Sequence, residues 1–170
     1  YLDEVGKPKY ITETEWFQKN HTSVMNTFVF DGNGAVGYGR CVLVKYGHID
    51  ILLDCGMDAL DNAQTNDSDF AEDVSRYCVD GILEYVVVSN AKIESLSQMI
   101  GSGTTKGILE LFKIGTLIDF GTNTNLDESS APGGWFAKYS KKRDECLGNS
   151  IENYIANPGP SERLVHVEGL

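Results

Sequence analysis

The stretch Leu83-Glu84-Tyr85-Val86-Val87-Val88-Ser89 limits the choice of fold more than any other part of the chain. It is a near-continuous apolar run, rich in β-branched and aromatic residues, without the alternation of a half-exposed strand. Such a run belongs in the middle of a sheet, covered on both faces. It gives way to a short polar turn, Asn90-Ala91-Lys92, and then to Ile93-Glu94-Ser95-Leu96, which opens a helical pattern that glycine closes at 101. In α/β proteins the carboxyl end of a strand is where functional groups are displayed, because the loops there open into a crevice.

The flanking sequence fits around that strand. Residues 24–31 (VMNTFVFD) read as a strand. Residues 40–46 (RCVLVKY) and 49–54 (IDILLD) read as two more, separated only by Gly47-His48, the length of a two-residue hairpin turn. The opening third is therefore an antiparallel β-meander. Residues 57–69 are Asp- and Asn-rich and read as a loop. Residues 68–80 predict a helix with Ser68 as N-cap, with Phe70, Val74, Tyr77 and Cys78 on one face and Gly81 as the stop.

Residues 106–112 are short and apolar, helix or strand. Residues 115–120 (GTLIDF) predict a strand, and 121–134 a long polar loop. Tyr139, Leu147, Ile151, Tyr154 and Ile155 recur at near-helical spacing, so 135–157 reads as one helix, stopped by Asn157-Pro-Gly-Pro160. Residues 164–167 suggest a last strand. The division expected is an N-terminal arm, 1–23, followed by a single domain, 24–170.

Composition removes several classes of function. The chain has 170 residues, 41% of them apolar, enough for a real core, and a formal net charge of −11. That charge argues against binding to nucleic acid or anionic membranes, which rests on Lys and Arg neutralising phosphates. No apolar run approaches the roughly 18–20 residues of a membrane span. The first nine residues lack a basic-then-apolar signal pattern, and a start on Tyr1 suggests a processed product or an excised fragment.

Cys41, Cys55, Cys78 and Cys146 show no zinc-type CxxC spacing. Cys41 and Cys55 fall on or beside strands, where buried thiols are common, and disulfides stay open. Asn20-His-Thr and Asn66-Asp-Ser are formal glycosylation sequons. Secreted and intracellular settings therefore both stand.

Other motifs read as structural. Gly32-x-Gly34-x-x-Gly37 follows a strand, but a dinucleotide turn needs a helix starting at its third glycine, and Tyr38-Gly-Arg-Cys-Val-Leu-Val is β-rich. The glycines are better explained by a tight turn. Asp58, Asp61, Asp67, Asp69 and Asp73 lack the spacing and closing Glu of an EF-hand and read as a solvated acidic loop. Lys92 and Ser95, three apart at a helix start, would share a face and could form a Ser–Lys nucleophile pair. Lys141-Lys142-Arg143 reads as a solvated basic face.

Three segments together resemble the opening half of the metallo-β-lactamase fold, in the branch that includes competence-type DNA-uptake proteins. Phe28-Val-Phe-Asp-Gly-Asn-Gly34 is similar to that branch's strand ending in an aspartate-glycine turn. Ile51-Leu-Leu-Asp-Cys-Gly56 is similar to the family's strand ending in Asp and Gly. Tyr85-Val-Val-Val-Ser-Asn-Ala-Lys-Ile-Glu-Ser-Leu96 is similar to the family's strand leading into His-x-His-x-Asp-His.

The resemblance covers about residues 26–120. It implies an α/β (α+β) chain with the αββα sandwich of that family, here a shortened or partial copy, with its site along one sheet edge. Carried over position by position, the first two metal-ligand histidines fall at Asn90 and Lys92, the aspartate at Glu94 and the last histidine at Ser95. Asp54 ends the neighbouring strand. Only Glu94 keeps comparable chemistry, and Lys92 puts a positive charge where a dication would sit. His21, His48 and His166 all lie outside the motif.

Two functional classes follow, with a third beside them. The first is a non-catalytic metallo-β-lactamase-like domain whose site, Asp54, Asn90, Lys92, Glu94 and Ser95, is vestigial. It would hold no cofactor and act on protein partners in a larger assembly. The second is a phosphodiester or ester hydrolase with an altered site, which alone would call for zinc or another divalent metal. The third is a secreted glycoprotein interaction domain.

Overall fold

A computed structural model of the chain describes residues 25–30, 40–56, 70–102, 105–120 and 134–156. Three strands, β1 (Met25–Phe30), β2 (Arg40–Tyr46) and β3 (Ile49–Gly56), form the antiparallel meander expected from their β-rich runs and the short Gly47-His48 connection. Gly47 takes φ 60° in the turn between β2 and β3, the left-handed conformation that a two-residue hairpin needs.

After β3 the chain runs through helix α1 (Phe70–Tyr77), strand β4 (Ile82–Val87) and helix α2 (Ile93–Ile100). A two-residue ladder, β5 (Gly101–Ser102) with β6 (Thr105–Lys106), and a short helix α3 (Ile108–Leu111) follow. Strand β7 (Lys113–Asp119), helix α4 (Trp135–Cys146) and strand β8 (Ile151–Ala156) complete the described chain. The main sheet has the order β1-β2-β3-β4-β7-β8, with β3, β4, β7 and β8 mutually parallel. The protein is thus α+β, with a six-stranded mixed sheet and four helices among the described residues.

The parallel strands advance in one direction across the sheet. Right-handed crossovers then place every connecting helix on the same face, and the contacts agree: α2 lies on β3 and touches α1, α3 and α4. Cys41, Leu43, Leu52, Cys55, Val86 and Leu117 of the sheet share one buried core with Val74, Leu96, Met99, Leu109 and Tyr139 of the helices. The opposite face is more open among the described residues. Met25 and Val29 are 65% and 72% exposed, and Leu53 is partly exposed.

β4 is central, as its composition required, but Tyr85 and Val87 are only half-buried. Coverage on both faces is therefore not met by the described residues. They contain one six-stranded sheet, and the second packed sheet of an αββα sandwich is not among them.

One sequence expectation fails outright. Residues 135–157 are not a single helix. α4 ends at Cys146, Gly148 turns the chain at φ 74°, and Ile151 begins a strand that pairs with β7. Leu147, Ile151, Tyr154 and Ile155 have helix-compatible spacing, yet Ile-Glu-Asn-Tyr-Ile is equally a strand sequence, and a partner strand settles the choice. The expected arm 1–23, the glycine-rich turn 32–39, the acidic loop 57–69, the loop 121–133 and the strand 164–167 lie outside the described residues. So do both sequons and the N-cap Ser68.

A buried pair fixes the amino end of the sheet. Lys45, 2% exposed, donates from its ammonium to Asp50 across the hairpin and to the carbonyl of Tyr77, the last residue of α1. A cation bonded to a helix's terminal carbonyl satisfies an otherwise orphaned acceptor and complements the helix dipole. The Asp50 amide donates to Glu84 Oε2 at 2.7 Å. Burial pushes the Glu84 carboxyl above its usual range. No described helix is long and apolar enough to cross a membrane.

Candidate functional site

The carboxyl ends of β3 and β4 meet at a β-bulge. Val42 pairs with Leu53, but Cys41 pairs with Cys55, so Asp54 is the extra residue in the ladder. Asp54 has φ 53°, the one described non-glycine residue in the left-handed region. A bulge residue in that conformation redirects its side chain out of the strand's normal alternation. Aspartate tolerates it better than most residues, at a cost of about 1–2 kcal/mol.

The redirected carboxylate is 7% exposed by residue and reaches the end of the neighbouring strand. Asp54 Oδ1 accepts the Ser89 amide at 2.7 Å, and Oδ2 accepts the Ser89 hydroxyl at 2.7 Å. Ser89 Oγ in turn accepts from Asn90 Nδ2 at 2.9 Å, while Asn90 Oδ1 accepts the Lys92 amide at 2.9 Å. A chain of four side-chain bonds thus runs from the bulge through residues 89–92 to the start of α2. Ser89 is the link between the bulge and the loop, bonded to Asp54 through its amide and hydroxyl and to Asn90 through its oxygen.

Gly56 completes the frame from below. A Cβ there would meet the first turn of α2, with Ser95 N at 2.6 Å and Ile93 O and Glu94 C closer still. All three are backbone atoms and cannot swing aside, so only glycine lets β3 pass under α2. Asp54 and Gly56 therefore have separate physical duties, one binding the loop and the other admitting the helix.

The expected site residues divide. Asp54, Asn90 and the Lys92 backbone are brought together in this bonded chain. Glu94 is half-buried on the first turn of α2. Ser95 is fully buried, and its hydroxyl has no hydrogen-bond partner among the described residues. Lys92 is exposed, with extended backbone (φ −87°, ψ 154°), at the position that caps α2.

That geometry overturns the Ser–Lys pair. Helical spacing does not apply to a capping residue with extended backbone, so Lys92 points to solvent while Ser95 enters the core. Among the described residues no three His, Cys, Asp or Glu side chains form a group able to hold a metal ion. His48 is exposed in the hairpin turn at the far end of β3.

A second polar cluster, which the sequence did not disclose, lies at the end of β7. The Asp119 side chain is completely buried. Its Oδ2 accepts from Tyr139 OH at 2.7 Å and Arg143 Nη1 at 3.1 Å, and its Oδ1 accepts from Tyr154 OH at 2.9 Å. Arg143 Nη1 also donates to Tyr154 OH at 2.7 Å, and its guanidinium lies over the Tyr154 ring at 4.7 Å. Burial, with the adjacent Asp119 charge and bond, holds the Tyr139 hydroxyl well above its usual range. Burial and the bond to Asp119 likewise push Tyr154 to about 12. For Arg143 burial works against the charge, but the bonds to Asp119 and Asp144 outweigh it and raise its value.

The reading of residues 141–143 as a uniformly solvated basic face is therefore wrong at Arg143. Lys141 stays exposed, while Arg143 turns inward to join α4 to β7 and β8. The only sequence signal was an aspartate closing an apolar strand, Thr116-Leu-Ile-Asp119.

A cleft of about 590 Å³ lies elsewhere, at the amino ends of β4 and β7 beside Glu110, Lys113 and Ser150, and takes in none of the expected site residues. Comparison with known proteins finds no matching family model, no similar curated protein and no similar solved structure.

Proposed function

We propose that the chain is a metallo-β-lactamase-like domain with a degenerate metal site, acting as a non-catalytic binding or structural module on protein partners in a larger assembly. The observation that carries this reading is the bonded chain Asp54–Ser89–Asn90–Lys92 N. Both carboxylate oxygens of Asp54 and both amide atoms of Asn90 take part in holding the loop, and Ser89 and Lys92 are its exposed residues.

Such a donor set does not fit a dinuclear zinc centre. Zinc favours imidazole, thiolate and available carboxylate ligands. Here the matching positions carry an amide closed on its own loop, an ammonium, a half-buried carboxylate and a buried hydroxyl. The frame that the resemblance implies is supported by the end of β3 and the start of α2, where Asp54 holds the loop and Gly56 admits the helix. The ligands are what departs from the family.

Elemental analysis of the natively produced chain tests the reading. The expected result is zinc, manganese and iron each far below one equivalent per chain. Near-stoichiometric metal, lost together with esterase or phosphodiesterase activity on Glu94→Ala substitution, would instead establish the altered-site hydrolase.

A further inference from the structure

Cys41 and Cys55 stand opposite each other across β2 and β3, at the bulge that re-registers the two strands. Both are fully buried in the same core, so their side chains share the helix-covered face. Directly opposed residues of an antiparallel pair have Cα atoms about 4.5–5.5 Å apart. That range falls inside the roughly 4.4–6.8 Å at which cysteines can be bridged. Neither residue is in a disulfide in this structure.

The position of Cys55 gives the pair its consequence. It lies between Asp54, whose left-handed backbone and carboxylate hold Ser89, and Gly56, which fits beneath the first turn of α2. A bond drawing residue 55 toward β2 acts on both neighbours at once. We propose that Cys41 and Cys55 are a redox-modifiable pair, forming a reversible cross-strand disulfide that alters how firmly the loop 89–92 is held.

The oxidant is a small disulfide. One cysteine thiolate attacks it, forming a mixed disulfide and releasing one equivalent of its thiolate. The second cysteine thiolate then attacks the protein sulfur of that mixed disulfide, forming the Cys41–Cys55 bond and releasing the other equivalent. Two electrons pass from the cysteines to the oxidant, and the two thiol protons end on the released thiolates. Both thiols are buried, so the exchange proceeds through local opening of the sheet and is slow.

The test treats the full chain with hydroxyethyl disulfide and then alkylates it without reduction. Peptide mass spectrometry is expected to find Cys41 linked to Cys55, with both sites restored to alkylation by dithiothreitol. Hydrogen exchange at the Ser89 amide is expected to change by about fivefold or more between the two forms, the lower end of a typical coupling between sites. Cys41→Ser should abolish both the link and the oxidant's effect at Ser89. A Cys78→Ser, Cys146→Ser double variant retains the pair and should reproduce the wild-type result, which guards against a Cys41 variant that fails to fold. Links formed instead to Cys78 or Cys146, thiols at 41 and 55 that stay alkylatable, or a 41–55 link that leaves Ser89 exchange unchanged would each overturn the proposal.

Discussion

Asp54 and Asp119 lie near the carboxyl ends of two parallel strands on either side of β4, and each carboxylate accepts hydrogen bonds through both oxygens. Their surroundings differ. The Asp54 donors both belong to Ser89, an exposed residue at the start of a displayed loop. The Asp119 donors come from α4 and β8, include a guanidinium, and are sealed from solvent on the aspartate side. One aspartate holds a surface loop in shape. The other holds a helix and an edge strand to the sheet, so the same place in the topology serves presentation in one case and stability in the other.

The sharpest way to break that contrast is to remove each carboxylate. Asp119→Ala takes away the buried charge partner of Arg143, leaves it the bond to the exposed Asp144, and strips two tyrosine hydroxyls of their acceptor. Losing one member of a buried ion pair costs about 3–5 kcal/mol. Asp54→Ala removes two bonds at a partly exposed loop, for about 1–3 kcal/mol, with Asp54→Asn milder because asparagine tolerates the left-handed backbone. Urea unfolding midpoints measure both. A loss at Asp54 equal to that at Asp119 would mean that the loop is part of the core rather than something the core presents.

Gly56→Ala tests the open region alone. The added methyl meets three backbone atoms of α2's first turn, so the helix start must shift. Overpacking of this kind costs about 1–3 kcal/mol. Amide exchange at residues 89–95 should accelerate, while the alkaline titration of Tyr154 stays near its wild-type value of about 12. Movement of both signals together would show that the two clusters form one cooperative unit.

How far the sequence foretold these regions depended on how local the determinants were. The hairpin at Gly47-His48, the central strand at Leu83–Val87 and the helix from Ile93 follow from neighbouring residues, and the structure agrees with them. The Asp54 turn and the 89–92 loop were located by the aspartate-glycine strand end and the polar break after Val88, although Ser89's part needed the distances. Arg143 was misjudged because three basic residues in a row look alike in sequence. On a helix they point in different directions, and what lies across from each depends on β7 and β8. The strand at Ile151 was missed for a related reason, since its partner, β7, lies more than 30 residues earlier. Lys92 and Ser95 misled because their spacing is meaningful only if both lie within the helix, and Lys92 does not.

The smallest expected effect comes from the closed cluster and turns on the sign of a titration. Tyr154 is raised to about 12, first by burial and then by its bond to Asp119 and the charge of that carboxylate. In the unfolded chain a tyrosine titrates near its ordinary value of about 10. The native state therefore keeps the proton at a pH where the unfolded state has released it. The stability tied to that proton is fully present below about pH 10 and is lost as pH rises through about 12. Tyr139, shifted in the same direction, adds to the same limb. Tyr154→Phe removes one titrating hydroxyl, so it should cost about 1 kcal/mol at pH 7 through the lost hydrogen bond. The gap to wild type should then narrow as pH climbs from 10 to 11.5, because only the wild type is still losing the Tyr154 contribution. Urea midpoints across that range measure the gap. Parallel curves would mean that Asp119 does not hold the Tyr154 proton, and the network would then owe its strength to Arg143 and Tyr139 alone.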